Sequence, residues 1–431
     1  MMNLSIQNKN IYLILKGMRT TFRIIADTLY LLIFVSLTVL AILQTTEFNI
    51  PWRELALSEN IWCQIVYTLL FSPQIFLAVL VAVQYLCAEH YDWKDYLLAL
   101  MIAGIIFQMT DTNGGSAFQS YVLLALGARN FSFRFLAKIY FVISSGIVLL
   151  TVVASQIGWI ENLIYSARSG RVSFGFIYPT DCAAHFLFLA LIYWYLRGSK
   201  LRYPELLAFL GLGGISWFGC KGRFTTVLLL MIIIISAIYI FFWHRAENKY
   251  NWNIIWEDGV LKWLVSLPLL CSLSIHIVSI IYSDKNLLLH WFDGALNQRL
   301  SLAKRGIDIY GFRLLGSDIP MIGNGGNTEI PSKYYYIDSS FLQISMLYGI
   351  AALGVVMLLF LLAGWRAYKN KEWILLLVLG VVALHALFEH HAFDLAYSPF
   401  LFAAFARNGH LHGGSYFEMK RLIQGDSKKT G

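Results

Sequence analysis

The sequence predicts an all-α, polytopic integral membrane protein, and three observations support that class. Of the 431 residues, 58% are hydrophobic and only 13% are charged, too few polar side chains for the surface of a soluble protein of this length. The apolar residues form long runs, such as 227–242, which approach the roughly 20 residues needed to cross a bilayer core. Continuous runs of this kind favour helices over the alternating pattern of a membrane β-barrel.

Twelve segments are candidate membrane spans, and because four of them are short the predicted number is ten to twelve. The candidates lie near 22–45, 61–86, 96–110, 116–128, 135–157, 177–196, 205–219, 223–243, 261–281, 338–364, 373–388 and 392–406. The predicted organisation is a cytoplasmic N-terminus (1–21), spans 1–9 (22–281), a long extracytoplasmic loop (282–337), spans 10–12 (338–406) and a basic cytoplasmic tail (407–431).

The distribution of basic residues predicts the orientation in the membrane. Most Lys and Arg residues fall on one side when the N-terminus is placed in the cytoplasm, which follows the positive-inside rule and makes both termini cytoplasmic. The net charge of +8 then indicates attraction to anionic lipid rather than to nucleic acid. No small-residue cleavage site follows the first span, so we expect a retained signal anchor. The five scattered cysteines are expected to be small buried side chains without disulfides.

A minority of the basic residues lie in segments that are predicted to face the outside. Arginine binds phosphate oxygens through two parallel hydrogen bonds and keeps its proton. We therefore expect Arg171, Arg223 and Arg299 to bind an anionic ligand at the outer leaflet. The lysines of the long loop need no such role, because long loops are translocated regardless of their charge.

Arg299 has the most specific sequence setting. If 289–312 forms one helix, Arg299 lies within its apolar stripe. A buried guanidinium is costly unless it is paired, so this arrangement predicts an acidic partner. In the alternative, Gly294 and Gly306 break the helix and Arg299 is solvated. The stripe consists of Phe292, Leu296, Leu300, Ala303, Ile307 and Tyr310.

The segment 282–337 is too long for a simple connector, and its many aromatic residues argue against disorder. We expect a partly ordered cap on the outer interface. Within it, the glycine- and asparagine-rich stretch 323–327 either approaches a ligand closely or is a flexible linker. Asp338, where the loop ends, is suited both to capping the next helix and to accepting a proton, and the two roles are compatible.

Short motifs follow one another along most of the chain beyond about residue 85. They are 127–133 (GARNFSF), 171–179 (RVSFGFIYP), 221–226 (KGRFTT), 298–300 (QRL), and 338–342 (DSSFL) with 348–350 (YGI). In their order and spacing these motifs resemble the Wzy-type O-antigen and exopolysaccharide polymerases, in the form found in Gram-positive gene clusters.

The resemblance implies a membrane glycosyltransferase with a GT-C-like fold, located in the bacterial cytoplasmic membrane. Such an enzyme joins oligosaccharide repeat units carried on polyprenyl diphosphate at the outer face, by an inverting transfer that uses no metal and no cofactor. Its implied partners are the lipid-linked donor and acceptor, membrane lipid and a chain-length regulator. The implied catalytic residues are Asp338, Arg299, Arg171 and Arg223, and the implied substrate-binding residues are Arg168, Arg305, Arg313, Tyr178 and Glu389.

Two other functions stay open. The first is ligase-like transfer of the glycan to another acceptor, although the related O-antigen ligases carry a His where Asp338 stands. The second is a lipid-linked oligosaccharide flippase, which would place ionisable groups at the membrane midplane. Here only Asp27 and Asp181 come near it, and Asp181 with His185 either lines a cavity or packs between helices. The stretch 385–391 misses the zinc-protease motifs, so polar packing or sugar binding is expected there instead of a metal.

Overall fold

The computed structural model is mostly helical, as the sequence predicts. It describes residues 2–48, 60–61, 64, 73–88, 92–109, 115–165, 170–246, 260–323, 328–329 and 331–407. Within these ranges, five helices are long and apolar enough to cross a membrane, which supports association with a membrane. They are Gly17–Leu43, Phe133–Gln156, Arg223–Phe241, Leu261–Ile281 and Ile350–Lys369.

The described helices and the single small sheet follow one another along the chain. The first half contains α1 (Met2–Leu43), α2 (Gln74–Leu86), α3 (Trp93–Gln108), α4 (Gly115–Gly127), α5 (Phe133–Gln156), the hairpin β1 (Ile164–Tyr165) and β2 (Arg171–Val172), and α6 (Pro179–Arg197). The second half contains α7 (Tyr203–Gly214), α8 (Arg223–Ala246), α9 (Val260–Ile281), α10 (Leu287–Ala295), α11 (Arg299–Tyr310), α12 (Ser340–Gln343), α13 (Ile350–Lys369) and α14 (Trp373–Ala386).

The spanning helices pack side by side around one large apolar core. α9 packs on α13 and α14, α8 packs on α6 and α7, and α1 packs on α5 and α2. Large aromatic side chains such as Tyr30, Tyr121 and Trp194 are fully buried in this core. Many apolar side chains on the outer faces of the helices stay exposed, for example Leu149 and Ile234. Such a surface is expected where a helix faces lipid.

The predicted span at 392–406 is not a continuous helix, so the expectation of a spanning helix there is wrong. It contains the short 3-10 segments His390–Phe393 and Phe400–Ala404, separated by turns. Its carbonyl groups are satisfied by side chains: the hydroxyl of Tyr121 donates to the carbonyl of Ser398 (2.6 Å), and that of Tyr140 donates to the carbonyl of Ala396 (2.7 Å). Irregular backbone is tolerated at membrane depth where protein buries and satisfies it in this way.

The predicted span at 338–364 also begins too early. α12 is followed by a π-helical turn (Ile344–Tyr348), and the long helix α13 starts only at Ile350. Gly349 separates the two with a φ of 99°, and a Cβ atom there would lie 2.3 Å from the carbonyl oxygen of Leu314. This backbone contact packs the end of the long loop against the start of α13.

The long loop is ordered over most of its length, but its predicted helix 289–312 is interrupted. α10 ends at Ala295 and α11 begins at Arg299, and the connection contains Asn297 and Gln298 with φ values of 54° and 63°. Two left-handed residues in succession cannot continue a right-handed helix, so the apolar stripe is divided between two helices. The break sets the direction in which Arg299 leaves the backbone.

Candidate functional site

A cavity of about 1240 Å³ opens between the ends of the helices. Its walls come from the C-terminal end of α1, the β1–β2 hairpin with the turn that follows it, the N-terminus of α6, the turn before α8, the α10–α11 connection, and the segments around 331–338 and 389–397. These segments are distant in sequence, so only the folded chain forms the site.

The cavity brings together six of the nine predicted site residues. They are Arg171, Tyr178, Arg223, Arg299, Asp338 and Glu389. Arg305 is exposed and does not line the cavity; its guanidinium lies over the ring of Tyr335. Arg313 is also exposed and lies outside the lining. Arg168 falls outside the described residues, as does 324–327 of the glycine-rich stretch, whereas Gly323 lines the cavity.

Arg299 lies between two carboxylates, as its burial requires. Its Nε atom is 3.2 Å from Oδ2 of Asp338, and its Nη1 atom is 2.8 Å from Oε1 of Glu389. Nη1 also donates to the backbone carbonyl of Phe388. The predicted acidic partner is therefore confirmed, and the alternative of a solvated Arg299 is wrong even though the helix is interrupted. We call Arg299, Asp338 and Glu389 the arginine–carboxylate cluster.

The charges of this cluster stabilise one another. Burial by itself would raise the pKa of Glu389, but the charge of Arg299, with lesser contributions from nearby histidines, lowers it to about 2. Burial opposes the charge of Arg299 too, yet the carboxylates of Asp338 and Glu389 raise its pKa above the ordinary value. Arg299 and Glu389 are therefore both charged at neutral pH, and the cluster carries an excess of negative charge when Asp338 is ionised.

The backbone that carries Asp338 is held against the segment that carries Glu389. Ser339, and not Asp338, caps α12, with its hydroxyl accepting from the amide of Leu342. The expectation that Asp338 caps this helix is therefore wrong, because the cap is the next residue. The carboxylate of Asp338 contacts Arg299 instead. The next residue, Ser340, donates its hydroxyl to the carbonyl of Glu389 at 2.6 Å. This bond joins the backbone beside Asp338 to the backbone of Glu389.

Three cationic side chains line another part of the cavity: Arg171, Lys221 and Arg223, which we call the basic wall. A π-helical segment (Ile215–Cys220) extends α7, and Lys221 then turns the chain with a φ of 51° so that α8 starts at Arg223. Nε of Arg171 donates to the carbonyl of Cys220 at 2.8 Å, which joins the β-hairpin to this turn. The 171–179 and 221–226 motifs therefore meet at one place.

The 171–179 motif reaches the cavity because it is attached to the end of α1. The amide of Glu47 donates to the carbonyl of Gly175 (2.8 Å), and that of Ile177 donates to the carbonyl of Thr45 (2.9 Å). Gly175 has a φ of 84°, and a Cβ atom there would lie 2.8 Å from the side chain of Ser155, so only glycine fits. The turn delivers Tyr178 to the cavity wall and Pro179 to the first turn of α6.

Further cavity residues were considered in the sequence but were not predicted as site residues. Asp181 and His390 line the cavity, and His391 lies beside them with Nε2 3.2 Å from Oδ1 of Asp181. Burial lowers the pKa of His390 to about 3 and that of His391 to about 4, so both rings are neutral. The three residues offer ligand atoms within 4.8 Å of one another, a spacing that can hold a divalent cation. The signal in the sequence for the two histidines was their position directly after Glu389.

Cysteines and His185 have structural roles in the described part of the chain. Cys87, Cys182, Cys220 and Cys271 are free thiols, and the last three are buried, in agreement with the sequence; Cys63 lies outside the described residues. Nε2 of His185 is 2.9 Å from the hydroxyl of Thr45. Of the pair predicted on one face of α6, Asp181 lines the cavity and His185 packs between helices.

Comparison of the chain with protein-family models, with curated proteins and with solved structures finds no match. A basic wall can bind an anionic group, and carboxylates held by an arginine can orient and deprotonate a hydroxyl. The cavity combines both sets of groups.

Proposed function

We propose that this protein polymerises oligosaccharide repeat units carried on polyprenyl diphosphate, at the outer face of a bacterial cytoplasmic membrane. The observation that carries the proposal is the meeting of the basic wall and the arginine–carboxylate cluster in one cavity. Their residues belong to four of the motifs on which the resemblance to Wzy-type polymerases rests. Glu389, which lies outside those motifs, completes the cluster.

The basic wall has the chemistry needed for a diphosphate. Two guanidinium groups and one ammonium group offer many charge-assisted hydrogen bonds to phosphate oxygens. When the bond between the donor's anomeric carbon and the diphosphate oxygen breaks, the diphosphate keeps the electron pair and gains negative charge. Preorganised cations stabilise that charge more in the transition state than in the ground state, which accelerates the transfer.

The arginine–carboxylate cluster is suited to the acceptor. A sugar hydroxyl of the second lipid-linked unit attacks the anomeric carbon from the face opposite the diphosphate, forms the new glycosidic bond and inverts the configuration. The hydroxyl loses its proton as it attacks, and Asp338 accepts it. Because two carboxylates already contact Arg299, we assign it to orienting Asp338 and Glu389 rather than to the diphosphate.

Several parts of this proposal rest on the resemblance alone. They are the GT-C-like architecture, the independence from metals and cofactors, and a chain-length regulator as partner. The location of both termini in the cytoplasm rests instead on the distribution of basic residues. The five spanning-length helices and the lipid-facing surface support a membrane location in general. No feature of the described residues selects the sugars of the repeat unit.

The test is elongation of lipid-linked glycan by the purified protein in liposomes, without nucleotide sugars. The substrate is the lipid-linked repeat unit extracted from cells of the source bacterium that lack this chain. We expect a ladder of longer glycans, each still attached to polyprenyl diphosphate. Asp338→Asn should reduce the elongation rate by about 100-fold or more, the usual contribution of a general base.

Arg313→Gln is the matched control, because it removes a loop arginine that lies outside the cavity. It should leave the elongation rate unchanged. A wild-type protein that only moves the lipid across the vesicle membrane would make the chain a flippase, and transfer of intact glycan to a different acceptor would make it a ligase. Either result refutes the polymerase proposal.

A further inference from the structure

Helix α10 exposes an apolar face that the described chain does not cover. Leu287 is 84% exposed, Leu288 63%, Trp291 66% and Phe292 45%, and Ala295 is exposed as well. At 100° per residue these five side chains occupy one arc of about 140°. A continuous arc of this width differs from the single exposed apolar residues that are common on protein surfaces.

The opposite side of α10 packs on the rest of the protein, so this helix is an ordered part of the long loop. Leu289 packs on the core, and Asp293 is buried. Oδ2 of Asp293 accepts from the hydroxyl of Tyr282 at 3.0 Å, and Oδ1 accepts from the amide of Leu300 at 2.7 Å. The carboxylate thus joins the end of α9 to the first turn of α11. The polar His290 is exposed at the edge of the helix, outside the apolar arc.

The exposed arc follows, a few residues along the chain, an exposed apolar face at the end of the spanning helix α9. The spanning segment ends at Ile281, and its last turns expose Ile277, Ile280 and Ile281. α10 begins at Leu287, only six residues later, so the chain cannot move far from the bilayer before the helix starts. A tryptophan at this position is typical of a membrane interface, where its ring spans the boundary between apolar and polar layers.

We propose that α10 lies in the plane of the bilayer, at the membrane surface where α9 ends, with its apolar arc among the lipid headgroups and upper acyl chains. Amphipathic helices of this kind bury their apolar face roughly 5–10 Å into the interface. This placement does not depend on the polymerase proposal.

The placement has a consequence for the cavity. The end of α10 and the connection that follows it, Gly294 to Arg299, form part of the cavity wall. The cavity therefore opens at the depth of the lipid headgroups, and its ligand is the charged headgroup of a lipid rather than a solute from bulk water. This consequence rests on the proposed function, which names a lipid-linked diphosphate.

The experiment places a nitroxide at two positions of full-length protein in lipid nanodiscs. Leu288→Cys puts the label within the apolar arc, and His290→Cys is the matched control at the polar edge of the same helix. Both native side chains are exposed, so neither substitution disturbs the packing. Wild-type protein treated with the same reagent gives the background from its native cysteines. Collisions with oxygen, which concentrates in lipid, are compared with those of a water-soluble nickel chelate.

We expect a several-fold higher ratio of oxygen to nickel collisions at position 288 than at position 290. Equal ratios with strong nickel collisions at both positions would place α10 in water and overturn the inference. Protection of position 288 from both reagents would mean that protein, such as a second copy of the chain, covers the arc, and would overturn it as well. No substrate is used, so the result is independent of whether the polymerase proposal stands.

Discussion

At the scale of single residues, the electrostatics of the cavity depend on Arg299. Its guanidinium contacts Asp338 on one side and Glu389 on the other, and all three side chains are largely withdrawn from solvent. The sequence predicted that Arg299 needs a partner, because an unpaired guanidinium could not be buried in an apolar stripe. It could not identify Glu389, which lies 90 positions away and is brought near only by the packing of the long loop against the end of α14.

Removal of Arg299 should destabilise the protein. Arg299→Ala leaves two carboxylates close together without a counter-charge, and breaking a buried pair in this way costs about 3–5 kcal/mol. We expect a correspondingly lower midpoint of thermal unfolding in detergent. Arg305→Ala, in the same helix but exposed, is the control and should cost less than about 1 kcal/mol. Equal destabilisation by the two variants would show that Arg299 is not the centre of the cluster.

The contribution of Glu389 should depend on pH in a defined window. Its folded pKa is lowered to about 2, whereas an unfolded glutamate titrates near about 4.3. When the pKa of a carboxyl group is lower in the folded state than in the unfolded state, its ionised form stabilises the fold. This stabilisation is fully present above the pKa of the unfolded state and is lost as the pH falls toward the pKa of the folded state. The difference in unfolding midpoint between wild type and Glu389→Gln should therefore be constant from about pH 8 to pH 5.5 and shrink below about pH 4. A difference that disappears already near neutral pH would contradict the assignment.

At the scale of elements, the close contact of two backbone turns holds the long loop against the start of α13. Gly316, with a φ of 91°, would place a Cβ atom 2.0 Å from the carbonyl oxygen of Leu347. The amide of Ser317 donates to the carbonyl of Met346 at 3.0 Å. The amide of Ile350 donates to the carbonyl of Arg313, also at 3.0 Å. This packing fixes α12, and with it the carboxylate of Asp338.

Gly316→Ala should therefore disturb both stability and the site. The positive φ and the backbone contact together should cost about 1–3 kcal/mol, measured as a lower unfolding midpoint. Gly146→Ala in α5 is the control, since a Cβ atom there meets nothing within 4 Å and the residue is helical. The control should be neutral or slightly stabilising, by up to about 1 kcal/mol. If Gly316→Ala behaves like the control, the turn does not require glycine.

The sequence predicted the long isolated helices best. The spans near 135–157, 223–243 and 261–281 agree with α5, α8 and α9 to within a few residues, because lipid-facing helices need long apolar runs. The segment 392–406 is also mostly apolar but is interrupted by Asp394, Ser398 and Pro399 and is buried against α13 and α4, so its apolar residues alone gave no information on its backbone. The break between α10 and α11 was missed because no glycine or proline occupies 296–298, where Asn297 and Gln298 adopt the left-handed conformation.

The site was partly predictable for a different reason. Arginines on the side that is predicted to be translocated stand out against the positive-inside rule, and two of them, Arg171 and Arg223, lie together in the basic wall. Arg305 and Arg313 carry the same signal but face outward, because sequence position does not determine which face of a loop a side chain occupies. For Asp181 and for the stretch 385–391 the sequence left a role in a cavity or in sugar binding open beside polar packing, since buried polar residues near the ends of spans are common in helix packing.

At the scale of the whole molecule, the cavity takes its charged residues from segments that are distant in sequence. The basic wall comes from the β-hairpin and the start of α8, whereas the carboxylates that contact Arg299 come from the segments around 338 and 389. The two sets of groups suit different parts of a glycosyl transfer, the leaving diphosphate and the attacking hydroxyl.

Removal of divalent cations should leave elongation unchanged. In our proposal the diphosphate charge is met by arginine and lysine side chains, and Oδ1 of Asp181 already lies 3.2 Å from Nε2 of His391. Elongation measured with and without EDTA tests this expectation. A loss of activity that manganese or zinc restores in the wild type but not in His390→Ala would contradict it, and would place a metal at Asp181, His390 and His391.

The most direct test of the central claim is the affinity of the purified protein for two lipids that differ only in charge, a polyprenyl-diphosphate-linked glycan and the same glycan on a neutral polyprenyl ether. We expect the diphosphate lipid to bind about 10- to 100-fold more tightly, and Arg223→Gln but not Arg313→Gln to remove most of that preference. Equal affinity for the two lipids, or a preference that survives Arg223→Gln unchanged, would contradict the claim that the basic wall binds a lipid diphosphate.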